Sequence, residues 1–453
     1  MISVVILAAG KGTRMKSNLP KVIHPLAGKP LLRHVVDTAA ELSPRKTVIV
    51  YGHGGEQVQK SLSDCNASWV EQTELLGTGD AVARAMPDIP DEDIALILYG
   101  DVPLIKKETL MRLLLACEGG NVGLLTVEMQ NPSGYGRIVR SSEDNSVLRI
   151  VEEKDASAVE KCITEVNTGL LCASRQQLNE WLSRLNNNNA QGEYYLTDII
   201  EMAVKDGRKV NAVSPESEHE VSGVNDRAQL AELERVYQQD HAHRFMKEGL
   251  YLIDPNRFDI RGSLEFGIDC SIDINCIIEG NVKLGDNVNI GANCIIKDAE
   301  IGDNTSIAAN SVIDSATVGC SCKIGPFARL RPDAALHDEV HIGNFVEVKK
   351  SVIGNGSKAN HLAYIGDAEI GKKSNIGAGT ITCNYDGVNK SKTIIGDNVF
   401  IGSDTQLVAP VTVEDGATVA AGATITKTVP AGSLAITRTP QKSYKNWPKP
   451  KKR

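Results

Sequence analysis

The sequence has no long apolar run and no excess of basic residues, and both absences limit its class. No uninterrupted apolar stretch approaches the roughly 20 residues that a membrane-spanning helix needs. The first strand-like run, from Ser3 to Ala8, is not preceded by a basic segment, so we do not expect a signal peptide. The formal net charge of −8 gives a nucleic-acid partner no electrostatic support.

The chain also lacks the cysteine pattern of a disulfide-bonded framework. Its ten cysteines include only one close pair, Cys320 and Cys322, whose spacing is not that of a zinc site. Cys276 and Cys294 follow apolar residues by four positions and are interpreted as small buried residues. We therefore expect a reduced, cytoplasmic protein without a membrane span, and a solvated, disordered basic tail at residues 445–453.

What the second half has is an apolar residue at every sixth position. Helices and ordinary strands do not keep such a period, whereas hexapeptide repeats wind the chain into a parallel β-helix with three hexads per coil. Over this length the repeat predicts nine or ten coils, and such prisms are known mainly from acyltransferases. The repeat positions are Ile272, Ile278, Leu284, Ile290, Ile296, then Leu330, Leu336, Ile342, Val348, and later Ile395, Ile401, Leu407, Val413, Val419 and Ile425.

The first half alternates apolar runs with amphipathic segments, which predicts a mostly parallel sheet covered by helices. Strands are expected at 4–8, 47–51 and 94–99, and helices at 31–41, 109–117 and 176–185. Asp226 and Gly249 are suitable as the N-cap and the stop of a further helix. We predict a first domain at 1–227, a connecting helix at 228–249 and a β-helix domain at 250–453.

A glycine-rich loop follows the first strand in Leu7-Ala8-Ala9-Gly10-Lys11-Gly12-Thr13-Arg14. The spacing fits neither a Walker A loop nor the dinucleotide fingerprint. Glycines permit close backbone approach to phosphates, and Arg14 and Lys21 add cations, which suits a triphosphate with a pyrophosphate leaving group. The alternative is an ordinary tight turn between a strand and a helix. At the end of another strand, Asp101 is either a turn residue or a magnesium ligand.

This loop, followed by arginine and by Pro20-Lys21, resembles the sugar-1-phosphate nucleotidyltransferases, and Tyr99-Gly100-Asp101 resembles the acidic strand end of that family. The resemblance implies a Rossmann-like domain in which Arg14 and Lys21 promote transfer from UTP, and Asp101 and Asn225 bind Mg²⁺. Asp80 departs from the family, in which histidine is expected. The implied substrate-binding residues are Leu7, Ala8, Ala9, Gly10, Lys21, Tyr99, Gly100, Asp101 and Asn225; Gln72, Gly77 and Thr78 at the uracil; and Gly136, Glu152 and Asn167 at the sugar.

A second candidate site lies where the six-residue repeat is interrupted. The register slips between Val348 and Ile353 and again between Ile365 and Ile370, and an inserted loop occupies residues 383–393. Insertions in a solenoid commonly build a binding face. His361 lies between the slips and is suited to act as a general base. The alternative is a solvated face of the coil.

The strings from His361 to Asp367 and from Asn384 to Gly387 extend the resemblance over the whole chain. They are similar to the bifunctional family of N-acetylglucosamine-1-phosphate uridyltransferases and glucosamine-1-phosphate N-acetyltransferases. That family has a left-handed β-helix, is a homotrimer and serves bacterial envelope precursor synthesis. Ala363 stands where threonine is expected. The resemblance implies His361 as the base; Arg331, Lys349, Tyr364 and Asn375 at the amino-sugar phosphate; and Ala378, Asn384, Tyr385, Ser403, Ala421 and Arg438 at acetyl-CoA.

The expected function is therefore two reactions on small-molecule substrates, with acetyl-CoA and UTP as co-substrates. The second unit acetylates glucosamine-1-phosphate, and the first joins the product to UTP with release of pyrophosphate. Two alternatives stay open. The β-helix is regulatory or structural beside an active nucleotidyltransferase, or the whole chain is a non-catalytic binding scaffold.

Overall fold

The computed structural model describes residues 1–10, 12–52 and 54–448. It divides the chain into two compact units, Met1–Tyr237 and Gln238–Arg453. Residues 449–453 of the expected disordered tail lie outside the described residues, while Lys445 to Pro448 are exposed. Among the described residues no helix is both long enough and apolar enough to cross a membrane.

The first unit combines helices with short and long strands. The helices are α1 Leu31–Ala40, α2 Gly55–Ser61, α3 Thr78–Ala85, α4 Lys107–Ala116, α5 Arg175–Ser183 and α6 Asp198–Lys205, and α7 Arg227–Lys247 begins in this unit and ends in the second. The strands are β1 Ile2–Ala8, β2 Pro25–Leu26, β3 Lys29–Pro30, β4 Lys46–Tyr51, β5 Ser68–Glu71, β6 Ile94–Tyr99, β7 Val122–Glu128, β8 Arg137–Arg140, β9 Val147–Val151, β10 Glu165–Ser174 and β11 Val210–Val213. Short 3-10 turns occur at Thr13–Met15, Lys21–Ile23, Met86–Asp88, Glu118–Gly120, Glu160–Cys162 and Glu218–Val221.

Nine strands form one mixed sheet in the order β11-β7-β10-β6-β1-β4-β5, in which β8 pairs with β10 and β9 pairs with β8. The β1, β4, β5 and β6 strands are parallel, and β10 runs antiparallel between β6 and β7. Alternate residues of β1 enter two cores, Val5 and Leu7 on one face and Val4 and Ile6 on the other. A sheet buried on both faces explains the continuous apolar runs in the sequence. Both β1 and β6 end at the same edge, where loops meet.

The α7 helix begins where the sequence predicts. Asp226 Oδ1 accepts hydrogen bonds from the backbone N–H groups of Ala228 and Gln229, both at 2.9 Å, which is an N-cap. At the other end Gly249 takes a φ of 111°, and Leu250 N donates to Phe245 O at 2.9 Å. Glycine accepts this positive φ without strain, so the helix stops here.

The second unit is built from short strands. They are β12 Tyr251–Leu252, β13 Phe258–Phe266, β14 Ser271–Ile272, β15 Cys276–Leu284, β16 Asn289–Ile290, β17 Ile295–Lys297, β18 Glu300–Ile301, β19 Ser306–Ile307, β20 Val312–Asp314, β21 Ala316–Val318, β22 Lys323–Ile324, β23 Arg329–Leu330, β24 Ala334–Leu336, β25 His341–Asn344, β26 Glu347–Lys349, β27 Val352–Ile353, β28 Lys358–His361, β29 Tyr364–Gly366, β30 Ala368–Ile370, β31 Asn375–Ile376, β32 Ile381–Cys383, β33 Thr393–Ile395, β34 Phe400–Ile401, β35 Gln406–Val408, β36 Val411–Val413, β37 Thr418–Val419, β38 Thr424–Ile425 and β39 Leu434–Ala435. One 3-10 turn, Pro255–Arg257, lies between β12 and β13.

These strands stack in parallel as coils. Ile272 pairs with Ile290, one coil of 18 residues later, and Ile290 pairs with Ile307. The predicted apolar repeat positions are buried; Ile278, Ile296 and Leu330, for example, are 0% exposed. Because every coil supplies the same inward position, a continuous core runs along the unit.

The number of coils agrees with the prediction of nine or ten. Eleven strands stack on one sheet, from β12 to β39, and each of the ten steps between them is one full coil. The terminal strands have exposed apolar residues, with Tyr251 63% and Leu434 61% exposed. In β12, however, Leu252 is 4% exposed and pairs in register with Ile272, so this strand continues the inward apolar position by one coil.

The predicted interruptions of the six-residue repeat change the number of residues in a coil. Ile353 pairs with Ile370 after 17 residues, whereas Ile370 pairs with Ile395 after 25. The eight additional residues belong to the loop that follows Cys383. Within it Tyr385 and Lys390 form an isolated antiparallel bridge, and Asp386 Oδ1 accepts from the backbone N–H of Val388 at 2.8 Å.

Candidate functional site

A cavity of about 280 Å³ opens where β1 and β6 end in the first unit. Ten of the residues predicted from the sequence line it, namely Leu7, Ala8, Ala9, Gly10, Lys21, Gln72, Gly77, Thr78, Tyr99 and Asp101. Gly100 lies directly beside it, since Gly100 N donates to Leu7 O at 2.9 Å. The sheet thus brings together three segments that are widely separated in the chain.

Glu193 also lines this cavity, and the sequence offers no signal for it. Its segment is held by two backbone hydrogen bonds, from Gly79 N to Tyr194 O at 2.8 Å and from Tyr194 N to Leu76 O at 2.7 Å. A side chain at either Gly77 or Gly79 would collide with the Tyr194 backbone. Because Gly77 and Gly79 have no side chain, the backbone of Tyr194 can approach them closely, and Gly77 also lines the cavity.

The cationic side chains of Arg14 and Lys21 meet the oxygen atoms of Asp101 and Asn225 at the rim of the cavity. Lys21 Nζ donates to the Asp101 carboxylate and to Asn225 Oδ1, the latter at 3.3 Å. Arg14 donates to the same Asn225 oxygen at 3.1 Å. Side chains from positions 14, 21, 101 and 225 thus form one cluster, which is the arrangement that the resemblance implied.

This cluster fits a magnesium ion by its donor set. The Asp101 and Asn225 oxygens already converge on one cation, the Lys21 ammonium, and Mg²⁺ prefers one or two such oxygens together with phosphate oxygens. Within the described residues, no group of three or more histidine, cysteine, aspartate or glutamate side chains is placed to enclose a metal. The site therefore depends on ligand oxygens to complete a coordination shell.

The predicted sugar residues also come together. Asn167 N donates to Gly136 O at 2.8 Å, and a Cβ on Gly136 would lie 3.5 Å from Glu152 Oε1. Glu152 accepts from Thr197 Oγ1 at 2.9 Å. Burial raises the pKa of Glu152 despite this hydrogen bond, because the charged form loses hydration.

Tyr99 connects the sugar residues with the nucleotide cavity. A Cβ on Gly169, two residues after Asn167, would lie 2.5 Å from the Tyr99 ring. Burial raises the pKa of Tyr99, with further contributions from the charges of Glu152 and Asp101. The phenol therefore stays protonated and is available as a hydrogen-bond donor.

In the second unit, His361 lies at a corner between two sheets. Its strand, β28, ends there, and β29 begins at Tyr364 after a two-residue turn. The His361 ring nitrogen Nδ1 is 2.7 Å from Asn344 Oδ1, one coil earlier. Asn344 was not predicted, because only the register of the coils pairs it with His361.

Arg331, Lys349 and Tyr364 lie on successive coils of the other sheet. Arg331 N donates to Val348 O at 2.9 Å, and Lys349 pairs in register with Gly366, over which the Tyr364 hydroxyl lies. Arg331 also forms an ion pair with Glu347 at 2.8 Å, which raises the pKa of its guanidinium. Glu347 is a further residue that the sequence did not indicate.

Asn375 and most predicted acetyl-CoA residues follow the histidine along the coils. Asn375 lies on β31, the strand next to β28. The backbone links Ala378 to the coil of Ser403, since Asp404 N donates to Ala378 O at 2.7 Å. The Ser403 carbonyl in turn accepts from Gly422 N at 2.8 Å, next to Ala421.

Arg438 closes this series of coils, and the inserted loop adds to it. The Arg438 guanidinium donates to Ala421 O at 3.2 Å. Asn384 is buried and donates to the Asp367 carboxylate, whereas Tyr385 is 60% exposed. The small residues Ala378, Ser403 and Ala421 lie on successive coils and leave room along one corner of the β-helix. Arg438 lies at the end of this series, beside Ala421.

Comparison with known families agrees with this division. Residues 4–188 match the family described as MobA-like NTP transferase domain. Residues 261–340 match the GMPPB C-terminal domain, and residues 392–427 match six repeats of the bacterial transferase hexapeptide. The chain thus contains a nucleotidyltransferase domain followed by a parallel β-helix of the left-handed hexapeptide type, and the predicted fold class is confirmed.

Two solved structures are similar to part of the chain. One is a nucleotidyl transferase from Methanothermobacter thermautotroptrophicus, 19% identical over 54% of this chain and 99% of that chain, with a TM-score of 0.39. The other is a UDP-glucose pyrophosphorylase complexed with UDP-glucose, 20% identical over 53% of this chain and 100% of that chain, with a TM-score of 0.43.

Proposed function

We propose that the chain is a bifunctional enzyme of amino-sugar metabolism. The second unit acetylates glucosamine-1-phosphate with acetyl-CoA. The first unit transfers UMP from UTP to the resulting N-acetylglucosamine-1-phosphate and gives UDP-N-acetylglucosamine and pyrophosphate. The observation that carries the proposal for the first unit is the meeting of Lys21, Asp101 and Asn225 beside the cavity.

Uridyl transfer needs positioning and charge neutralisation more than covalent chemistry. An oxygen of the sugar phosphate attacks the α-phosphorus of UTP, and the bond to pyrophosphate breaks. Arg14 and Lys21 stabilise the charge on the phosphates, and the buried residues near Glu152 orient the sugar. Asp101 and Asn225 would hold Mg²⁺, which neutralises triphosphate charge when bound.

Acetyl transfer needs a base for the attacking amine. With His361 Nδ1–H donating to Asn344 Oδ1, the lone pair is on Nε2 and can accept a proton. The 2-amino nitrogen attacks the thioester carbonyl, its proton passes to Nε2, and the carbon–sulfur bond breaks to release CoA. Arg331, Lys349 and Tyr364 supply cationic and hydroxyl groups for the sugar phosphate.

His361→Ala tests the second reaction. Acetyl transfer should fall by the roughly 10²–10⁴ that a general base contributes, because the variant lacks the imidazole that accepts the proton of the amine. Uridyl transfer should persist. The measurement is CoA release from acetyl-CoA and glucosamine-1-phosphate, beside pyrophosphate release from UTP. Full retention of acetyl transfer would contradict the role of His361 as the base, whereas a wild-type protein that releases no CoA would leave the β-helix with a regulatory or structural role.

Asp101→Ala is the matched variant for the first reaction. Pyrophosphate release should be lost and CoA release spared, since Asp101 is assigned to the metal and phosphates only. Loss of both activities would indicate misfolding instead. A wild-type protein that releases no pyrophosphate from UTP, Mg²⁺ and N-acetylglucosamine-1-phosphate would contradict the uridyltransferase proposal. Mass spectrometry of a mixture of all substrates, with each omitted in turn, identifies the products.

A further inference from the structure

The Gln72 side chain is held by two acceptors at the edge of the nucleotide cavity. Its Nε2 donates to Gly77 O at 3.0 Å and to Asp80 Oδ2 at 2.8 Å. Gln72 is only 4% exposed and lines the cavity. Both hydrogens of the amide nitrogen are thus engaged, and each partner is an acceptor.

The side chain of Asp80 is itself held in place by a hydrogen bond from Arg84. It lies in the first turn of α3, and Arg84 Nε donates to the same Oδ2 atom at 2.9 Å. An acidic group in the first turn is also stabilised by the helix dipole. The carboxylate therefore has a defined position from which to hold Gln72.

This arrangement determines which edge of the Gln72 amide is free. Turning the amide over would direct its oxygen at a carbonyl and a carboxylate, which is unfavourable for a buried group. The oxygen must therefore face away from Gly77 and Asp80. Within the described part of the chain no residue donates a hydrogen bond to it, so it remains an acceptor for a ligand.

We propose that Asp80 is a positioning residue for base selection, an inference that rests on the proposed uridyl transfer. By holding the nitrogen of Gln72, Asp80 presents the amide oxygen to the nucleobase. That oxygen accepts from a ring N–H, which uracil carries at N3. Cytosine has a lone pair at N3, so the two acceptors repel and CTP is rejected.

The test is equilibrium binding of UTP and of CTP, each with Mg²⁺, to the full-length wild type and to Asp80→Ala. The variant frees one amide hydrogen and removes the charge that opposes rotation of Gln72. The preference for UTP over CTP should fall by about 10- to 100-fold, the range of a hydrogen bond to a charged group. Pyrophosphate release with each nucleotide gives the same ratio in turnover.

Two control variants separate positioning from helix stability. Arg84→Ala removes the same ion pair but leaves Asp80 bonded to Gln72, so the UTP preference should stay at the wild-type value. Asp80→Asn keeps an acceptor oxygen and should retain most of the preference. An unchanged UTP-to-CTP ratio in Asp80→Ala, or an equal loss in Arg84→Ala, would overturn the inference. Loss of the binding preference in Asp80→Ala, with no pyrophosphate release by the wild type, would support positioning and reject the transferase proposal.

Discussion

Asp198 illustrates the electrostatics of the carboxylates around Glu152, on the side of the first unit where sugar binding is proposed. Burial raises the pKa of Asp198 to about 6, and the charges of Glu152, Glu201 and Asp155 add to this effect. Ionisation of Asp198 is therefore less favourable in the folded chain than in the unfolded one. A group of acidic residues that disfavours its own charge is suited to receive the hydroxyls of a sugar.

Asp198→Asn should raise the Tm at pH 8 and change it little at pH 4. The folded-state pKa is raised, so between the unfolded value and about 6 the folded chain binds the extra proton, and stability falls as pH rises through this window. Asparagine removes that loss. Thermal unfolding followed by circular dichroism at both pH values measures it.

Asp144→Asn provides a control of opposite sign. Hydrogen bonds from Ser146 and Ser141 lower the pKa of Asp144, so its charged form is favoured in the fold. The substitution should lower the Tm at pH 8 and have less effect at low pH. An Asp198→Asn variant that follows the Asp144→Asn pattern would contradict the assigned direction.

Asn344 offers a residue-scale prediction for the second unit. Asn344→Ala removes the acceptor of His361 Nδ1, so the ring loses its fixed orientation and tautomer. The kcat of acetyl transfer should fall about tenfold, less than for loss of the base, with little change in the KM for glucosamine-1-phosphate. Asn344→Asp retains an acceptor and should recover most of the rate. A rise in KM alone would place Asn344 in substrate binding.

The structure brings together residues that local strings in the sequence had singled out, and it adds others whose contacts exist only in the folded chain. The glycine loop and the strand end at Asp101 are local features, and the structure brings them to one cavity. Glu193 enters that cavity from a loop with no motif, and Asn344 and Glu347 acquire partners only through the register of neighbouring coils. No spacing within one segment could indicate such pairings.

At the scale of the element, each coil depends on its inward apolar residue. Ile401 is 0% exposed and stacks between Ile376 and Val419. Ile401→Ala should lower the free energy of unfolding by about 2–5 kcal/mol, the sum of lost burial and the cavity left behind. Val408→Ala, at a position 37% exposed, is the control and should cost much less. Urea unfolding measures both, and equal losses would contradict the assigned inward direction.

Elements were predicted well where the apolar period was strong. Helix α1 begins at Leu31 as expected, and β6 has the predicted bounds. The short antiparallel strands β8 and β9 and the terminal strands β12 and β39 were missed. These strands are 4, 5, 2 and 2 residues long, which is too short for an apolar period within the strand to reveal it.

At the scale of the whole molecule, we propose that three copies of the chain form a homotrimer with acetyl-CoA sites shared between subunits. Strand β39, which ends three residues before Arg438, lies four strands from β28, the strand of His361, or about 19 Å away at the usual spacing of parallel strands. The inserted loop presents Tyr385 to the outside. Flat faces of a β-helix can pack side by side, and closed rings of identical subunits are a common solution for such faces.

Co-expression of His361→Ala with Arg438→Ala tests the shared site. If His361 of one subunit acts with Arg438 of its neighbour, random trimers place both native residues together in about a quarter of the sites. Acetyl transfer at low acetyl-CoA should then exceed the mean of the two separate variants. Sedimentation should show three chains per particle. Activity no higher than that mean would mean that each subunit builds its site alone, because a site within one chain always contains one of the two substitutions.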